Sequence, residues 1–197
     1  MSRKKKVSHP GYSKILDAWS PPQNALEPIG CIATTFTFSP VFFEEECLAR
    51  FVQLESNPDD IDDPSYLIER EEKLAGLTCA VLVDQNHCRG NRSLRWDMIP
   101  ARVRGGVQHS KVSLLHWRNY TRVIIASANL SEDGYRRNQE VFGVLDYFPG
   151  SNLPLDSLTK SIIFLREAVC YGIARDLQPG PAVKRWLALL DRVSEDA

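Results

Sequence analysis

The chain has 197 residues, 43% hydrophobic and 25% charged, which fits one globular domain with a core of its own. Its 24 basic and 25 acidic residues leave a formal net charge of -1, so no whole-protein basic field exists and any polyanionic partner needs a local patch. There is no run of 18 apolar residues to span a bilayer, and the five widely spaced cysteines lack a CxxC pair, which argues against a disulfide framework or a zinc knuckle.

Residues 1–28 read as an irregular, basic lead-in with four prolines and a short helix at Ser13–Trp19. No apolar stretch follows the basic Met1–Lys6 segment, so it does not read as a signal peptide. Residues 29–197 read as one domain. Ile29–Phe38 is rich in β-branched and aromatic residues and predicts a strand. Ser39 then suits an N-cap with Pro40 at the first helical position, and Phe43, Cys47, Phe51 and Leu54 form an apolar stripe at helical spacing up to Ser56. An acidic linker at 57–64 leads to a helix over Ser65–Ala75, stopped by Gly76.

Leu77–Val83 is continuously apolar, as expected of a strand covered on both faces. Asp84–Asp97 is an arginine-rich loop, and Met98–Arg104 predicts a short strand. Val107–Trp117 and Arg122–Ser127 predict two strands joined by a polar turn, and Asn138–Tyr147 a third after a loop or short helix at Leu130–Arg137. Two C-terminal helices follow within 155–193. The order implies an α/β fold with a mixed β-sheet flanked by helices. Cys31 and Cys79 fall in apolar runs and read as buried thiols, consistent with a reducing cytoplasm.

The chemistry concentrates in 109–140. His109 and Lys111 share a strand face, about 7 Å apart. Antiparallel return of the next strand brings Ser127 and Asn129 toward them, and Glu140 follows in a strand of its own. A neutral imidazole can attack phosphorus, an ammonium and a carboxamide can hold the non-bridging oxygens, and a carboxylate can fix the imidazole tautomer. Fixed positive groups can do the electrostatic work of a metal, so neither a metal nor another cofactor is expected.

His-x-Lys, then Ser-x-Asn, then an acid in the next strand resembles the phospholipase D superfamily. The Ser127–Ser131 segment, Ser-Ala-Asn-Leu-Ser, is similar to the form found in tyrosyl-DNA phosphodiesterases and related nucleases. The resemblance covers about 77–147 well and 29–55 weakly. It implies a phospholipase D-like α/β sandwich with His109 as nucleophile or proton donor, Lys111 and Asn129 as phosphate ligands, Glu140 as orienter and Ser127 as helper. Many members carry an aspartate five residues after the lysine. His116 stands there instead, as the tyrosyl-DNA phosphodiesterase branch also lacks that acid.

The superfamily's site uses two copies of the motif, and this chain has one; His9, His87 and His116 do not begin a His-x-Lys. The resemblance therefore implies one half-site per chain, completed by a homodimer or by a second half. The basic residues of 89–122 favour DNA or RNA as the phosphodiester substrate. Lipid phosphodiester cleavage is the second reading. A non-catalytic half that binds phosphate backbones or docks onto an assembly is the third. Arg92 and Arg95 are candidate substrate-binding residues and Tyr135 a candidate for the cleft wall, with a solvated loop as the plainer reading of the arginines. Taken alone, Glu140 reads more readily as a half-buried strand acid paired with Arg136 or Arg137. His116-Trp117 reads as a strand end, His87-Cys88 as loop, and Trp96 as packed against the sheet.

Overall fold

The computed structural model describes residues 12, 14–56, 64–90, 93–172 and 180–197. Arg92, most of the acidic linker and the basic start of the lead-in lie outside the described residues. Six strands form one mixed sheet: β1 (Pro28–Thr35), β2 (Thr78–Asp84), β3 (Asp97–Ala101), β4 (Val112–Trp117), β5 (Tyr120–Ala126) and β6 (Phe142–Tyr147), in the order β3-β2-β1-β4-β5-β6. β1, β2 and β3 run parallel, whereas β4 pairs antiparallel with β1 and β5, and β5 with β6. The architecture is an α/β fold, a mixed sheet with helices on both faces.

Alternation along the strands sorts the core into two layers. Cys31, Ala33, Val81, Val83, Leu115 and Ile124 face one way, onto the lead-in and helix α1, which runs through Pro40–Phe42, Phe43–Leu48 and Ala49–Phe51. Ile32, Ala80, Leu82, Leu114 and Val123 face the other, onto α3 (Leu155–Gly172) and α4 (Pro181–Glu195). β2 is buried on both faces, as its unbroken apolar run requires. α4 presents Val183, Trp186, Leu189, Leu190 and Val193 on a single stripe, and burying each large side chain contributes about 1.5–3 kcal/mol. Among the described residues no helix is long and apolar enough to cross a membrane.

Local chemistry explains the boundaries. Ser39 Oγ accepts from the Phe42 amide at 3.3 Å, so the Ser-Pro start of α1 is an N-cap with proline where no intrahelical donor is lost. The middle of α1, Phe43–Leu48, is a π-type turn, and the helix ends at Phe51 rather than near Ser56. α2 spans Pro64–Leu74 and stops at Gly76, whose φ of +80° is the left-handed conformation that glycine adopts without penalty. Part of the lead-in belongs to the core: Ile15–Trp19 is a buried 3-10 turn, with the carbonyls of Ala18 and Ser20 each 2.8 Å from Arg122 Nη1.

The largest departure from the sequence reading is the start of β4. The ladder begins at Val112, not Val107, so His109 and Lys111 stand in the extended approach to the strand rather than inside it. Side chains take the backbone groups that a ladder would have used: the Gln108 amide donates to Asp84 Oδ2 at 3.0 Å and the Val112 amide to Thr34 Oγ1 at 3.0 Å. β6 is shortened in the same way, which leaves Glu140 just ahead of it.

Candidate active site

Parallel and antiparallel pairing together bring the carboxyl ends of β1, β2, β3 and β5 to the same sheet edge as the starts of β4 and β6. Read across that edge from β2 to β6, the residues are His87, Phe36, His109 with Lys111, Ser127 with Asn129, and Glu140. Carboxyl ends of strands are where α/β sheets hold ligands, because loops there converge without a helix in the way.

His109 is exposed and Lys111 half-buried. Lys111 Nζ donates to the His109 carbonyl at 2.9 Å and lies 3.2 Å from His109 Nδ1. Burial pushes the Lys111 ammonium below the ordinary lysine range, and the charge of Glu140 partly opposes that shift. The carbonyl of Lys111 accepts from Ala126 at 3.0 Å, which anchors the approach segment to the end of β5.

Asn129 is fixed by its oxygen. Oδ1 accepts from the backbone amides of Phe36 at 3.2 Å and Thr37 at 3.3 Å. Two backbone donors on one atom identify it as the carbonyl oxygen. The amide nitrogen is left as the outward group, and Nδ2 donates to no partner among the described residues. The loop holding Asn129 is stitched to the loop after β1 by Leu130 N to Thr35 Oγ1 at 3.1 Å and Ser39 N to Leu130 O at 2.9 Å. Gly134 is required beneath it, since a Cβ there would collide with the Asn129 backbone.

Phe36 connects the two halves of the cluster. Its backbone binds Asn129, while its ring centroid is 4.9 Å from that of His109 and 4.3 Å from that of His87. Asp84 ties the flanking loops together: the buried carboxylate accepts from Asn86 at 3.0 Å and from Gln108 at 3.0 Å. It thereby fixes both the turn carrying His87 and the segment carrying His109. Sequence reading missed Phe36, Asp84 and His87 as parts of this edge. The continuous strand-like run through Phe36 hid the first, and loops offer no period from which to place the others.

Ser127 Oγ donates to Glu140 Oε2, and the Ser127 amide donates to Val141 O at 2.9 Å. The expected hydrogen bond from the His109 ring to the Glu140 carboxylate is not formed; Glu140 accepts from Ser127 and reaches the cluster through its charge on Lys111. The ion pairs considered for Glu140 are absent too, because Arg136 pairs with Glu46 and Arg137 with Asp133.

Two substrate-binding expectations are corrected. Tyr135 is buried: its hydroxyl accepts from Trp19 Nε1 at 3.2 Å, its ring packs edge-on against Phe42, and burial holds its pKa well above the usual range. It is core, not cleft wall, because the π-type turn Asp133–Arg137 rotates it inward. Arg95 is turned to Glu71 on α2, in a hollow lined by α1 and α2 residues, and not toward the edge carrying His109. Trp96 is buried against Phe38 and Phe43. His116, one turn of chemistry away in sequence, is a different kind of residue: both ring nitrogens are engaged, by Thr121 Oγ1 at 2.9 Å and Asp196 Oδ2 at 3.1 Å. Among the described residues no cluster of three or more His, Cys, Asp or Glu could hold a metal ion.

No protein-family model matches the chain, and no curated protein matches it. Among solved structures, it aligns with a mutant of yeast tyrosyl-DNA phosphodiesterase at 10% identity and a TM-score of 0.48, over 75% of this chain and 32% of that one. It also aligns with Nuc, a phospholipase D family member from Salmonella typhimurium, at 15% identity and a TM-score of 0.39, over 76% of this chain and 79% of that one. The chain spans about a third of the length of the yeast enzyme. The pattern of His109, Lys111, Ser127, Asn129 and Glu140 is the feature by which the chain itself resembles the phospholipase D superfamily.

Proposed function

We propose that this chain is a metal-independent phosphodiesterase that cleaves DNA or RNA through a phosphohistidine, with one half-site per chain. The observation that carries the reading is the pairing of an exposed His109–Lys111 couple with an asparagine whose oxygen is spent on backbone, so that its two N–H bonds remain for a ligand. Such a constellation supplies a nucleophile, a cation and a dipole to one phosphate.

In the resting arrangement Lys111 faces His109 Nδ1, so a neutral ring accepting that bond carries its proton on Nε2. A non-bridging oxygen of the phosphodiester monoanion competes for the ammonium. Once it draws Lys111 away, the ring is released to turn an unprotonated nitrogen toward phosphorus. The first step forms the P–N bond to His109 and breaks the P–O bond to the leaving group, which takes a proton from the imidazolium of the second half. Water then attacks phosphorus, gives its proton back to that imidazole, and the P–N bond breaks. Glu140, which accepts from Ser127, keeps a negative charge near Lys111 that opposes the loss of its proton favoured by burial.

The second half, a homodimer partner or another domain, is seated in this reading on the exposed apolar residues on the β6 side of the cluster, Ile125 at 49% and Val141 at 76% exposure. The test is cleavage of an oligonucleotide in EDTA buffer. His109→Ala is expected to abolish it while the circular dichroism spectrum and melting temperature stay those of the parent. Undiminished cleavage by that variant removes His109 from the role. Cleavage of a choline lipid with oligonucleotides untouched would select the lipid reading, and a stable, inactive monomer the non-catalytic one.

A further inference from the structure

The cluster continues along the sheet edge in one direction. On the β6 side of Asn129 the edge carries the Glu140 carboxylate and the exposed apolar Ile125 and Val141, none of which suits a polyanion. On the β2 side it carries one exposed apolar residue, Val107, and no exposed acid, beside the adjoining rings of Phe36 and His87, both part-exposed. Beyond them β3 ends at Ala101, and the loop returning to Gln108 holds Arg102 and Arg104, both exposed and neither paired with an acid among the described residues. From β4 to β3 is three strand spacings, roughly 14 Å, a distance that an extended nucleic-acid strand covers with about two to four nucleotides.

We propose that a single-stranded nucleic acid lies along this edge in one register. The cleaved phosphate sits at His109, Lys111 and Asn129, the adjoining base rests against Phe36 and His87, and a later phosphate meets Arg102 and Arg104. The assignment rests on the phosphodiesterase reading above and extends it to substrate class and direction. Unpaired bases offer a π-face to aromatic side chains whatever their sequence, which duplex bases do not. A lipid tail laid in the same direction would be carried from apolar rim to exposed guanidiniums, the reverse of what it needs.

The experiment uses the 197-residue chain carrying His109→Ala, so that the strand binds without being cut, and a fluorescein-labelled eight-nucleotide oligothymidylate followed by anisotropy across a salt series. Phe36→Leu combined with His87→Ala is expected to weaken binding about five- to a hundredfold. His87→Ala alone, which leaves the Asn129-bonded loop untouched, is expected to weaken it in the same direction. Oligonucleotides with abasic sites should bind the parent more weakly and be insensitive to these ring substitutions. Arg102→Ala with Arg104→Ala is expected to lower the slope of log affinity against log salt by roughly 1.4, as two fewer single-strand phosphate contacts require. Arg118→Ala, at the opposite sheet edge, serves as the control. Equal affinity for intact and abasic strands, an unchanged salt slope, no binding of the oligonucleotide, or binding of phosphatidylglycerol vesicles in its place would each overturn the track. Cleavage of a small aromatic phosphodiester by the unsubstituted chain reports separately on the catalytic reading, so loss of one can be told from loss of the other.

Discussion

One histidine stands just before β4 and another within it, and they have opposite environments. His109 precedes β4, is exposed, and meets a lysine and a phenylalanine ring but no acid. His116, near the far end of β4, is 1% exposed and bonded on both nitrogens. The same contrast separates the two cations nearby. Arg122 is buried with its guanidinium spent on Asp146, Ala18 and Ser20, whereas Lys111 is half-buried beside a ring nitrogen. Polar groups whose bonding capacity is filled by the protein hold the fold. Groups whose capacity is left over are placed for something else.

The sharpest way to break this comparison is to truncate one cation at each edge. Arg122→Ala leaves the Asp146 carboxylate buried without its partner and is expected to cost about 3–5 kcal/mol in denaturant unfolding. Lys111→Ala is expected to change stability by less than about 1 kcal/mol yet reduce oligonucleotide cleavage on the order of a hundred- to a thousandfold. If the two substitutions cost the same stability, the division between structural and ligand-directed edges fails.

Gly134→Ala tests how tightly the asparagine is held. The added methyl group must push on the Asn129 backbone, and a displacement of about 1 Å is expected to cost roughly a hundredfold in cleavage. Wild-type turnover in this variant would mean that the Asn129 position does not matter.

Glu140→Gln addresses the charge on Lys111. Burial lowers the Lys111 pKa and Glu140 raises it, so removing the carboxylate's charge must lower it further. The alkaline limb of the cleavage profile, where Lys111 loses its proton, is expected to move to lower pH. A limb that stays in place, or moves up, contradicts the electrostatic role.

At the other edge, burial lowers the His116 pKa while Asp196 opposes the shift. A histidine with a depressed folded pKa contributes stability that is present above the unfolded value near 6.5 and lost as pH falls through the folded value. His116→Gln should flatten stability in that acid window and leave cleavage unchanged. Smallest of all, Arg95→Ala should alter cleavage by less than about twofold, since Arg95 is committed to Glu71.

Strand β2 was legible because an apolar run buried on both faces has one simple explanation, and α1 because Ser39-Pro40 is a local capping signal. The order of elements followed from such signals. The site was legible as a list of residue types but not as an arrangement. The edge of β4 was drawn five residues too early, since 107–111 bonds through Gln108 N and Ser110 Oγ to the side chains of Asp84 and Thr34, at the ends of β2 and β1, and not to a backbone ladder along its length. Tyr135 was placed in a cleft because it lies just beyond the Ser127–Ser131 segment, although within the π-type turn it is buried. Glu140 met Ser127 instead of His109 for a reason that depends on how two loops pack, which no spacing encodes.

Soaking crystals of the chain with orthovanadate tests the convergence of imidazole, ammonium and carboxamide most directly. The account predicts vanadium bonded to a His109 ring nitrogen, with its oxygens within hydrogen-bond reach of Lys111 Nζ and Asn129 Nδ2. Vanadate bound elsewhere, or bound at His109 with the Asn129 amide turned away from it, would contradict the account.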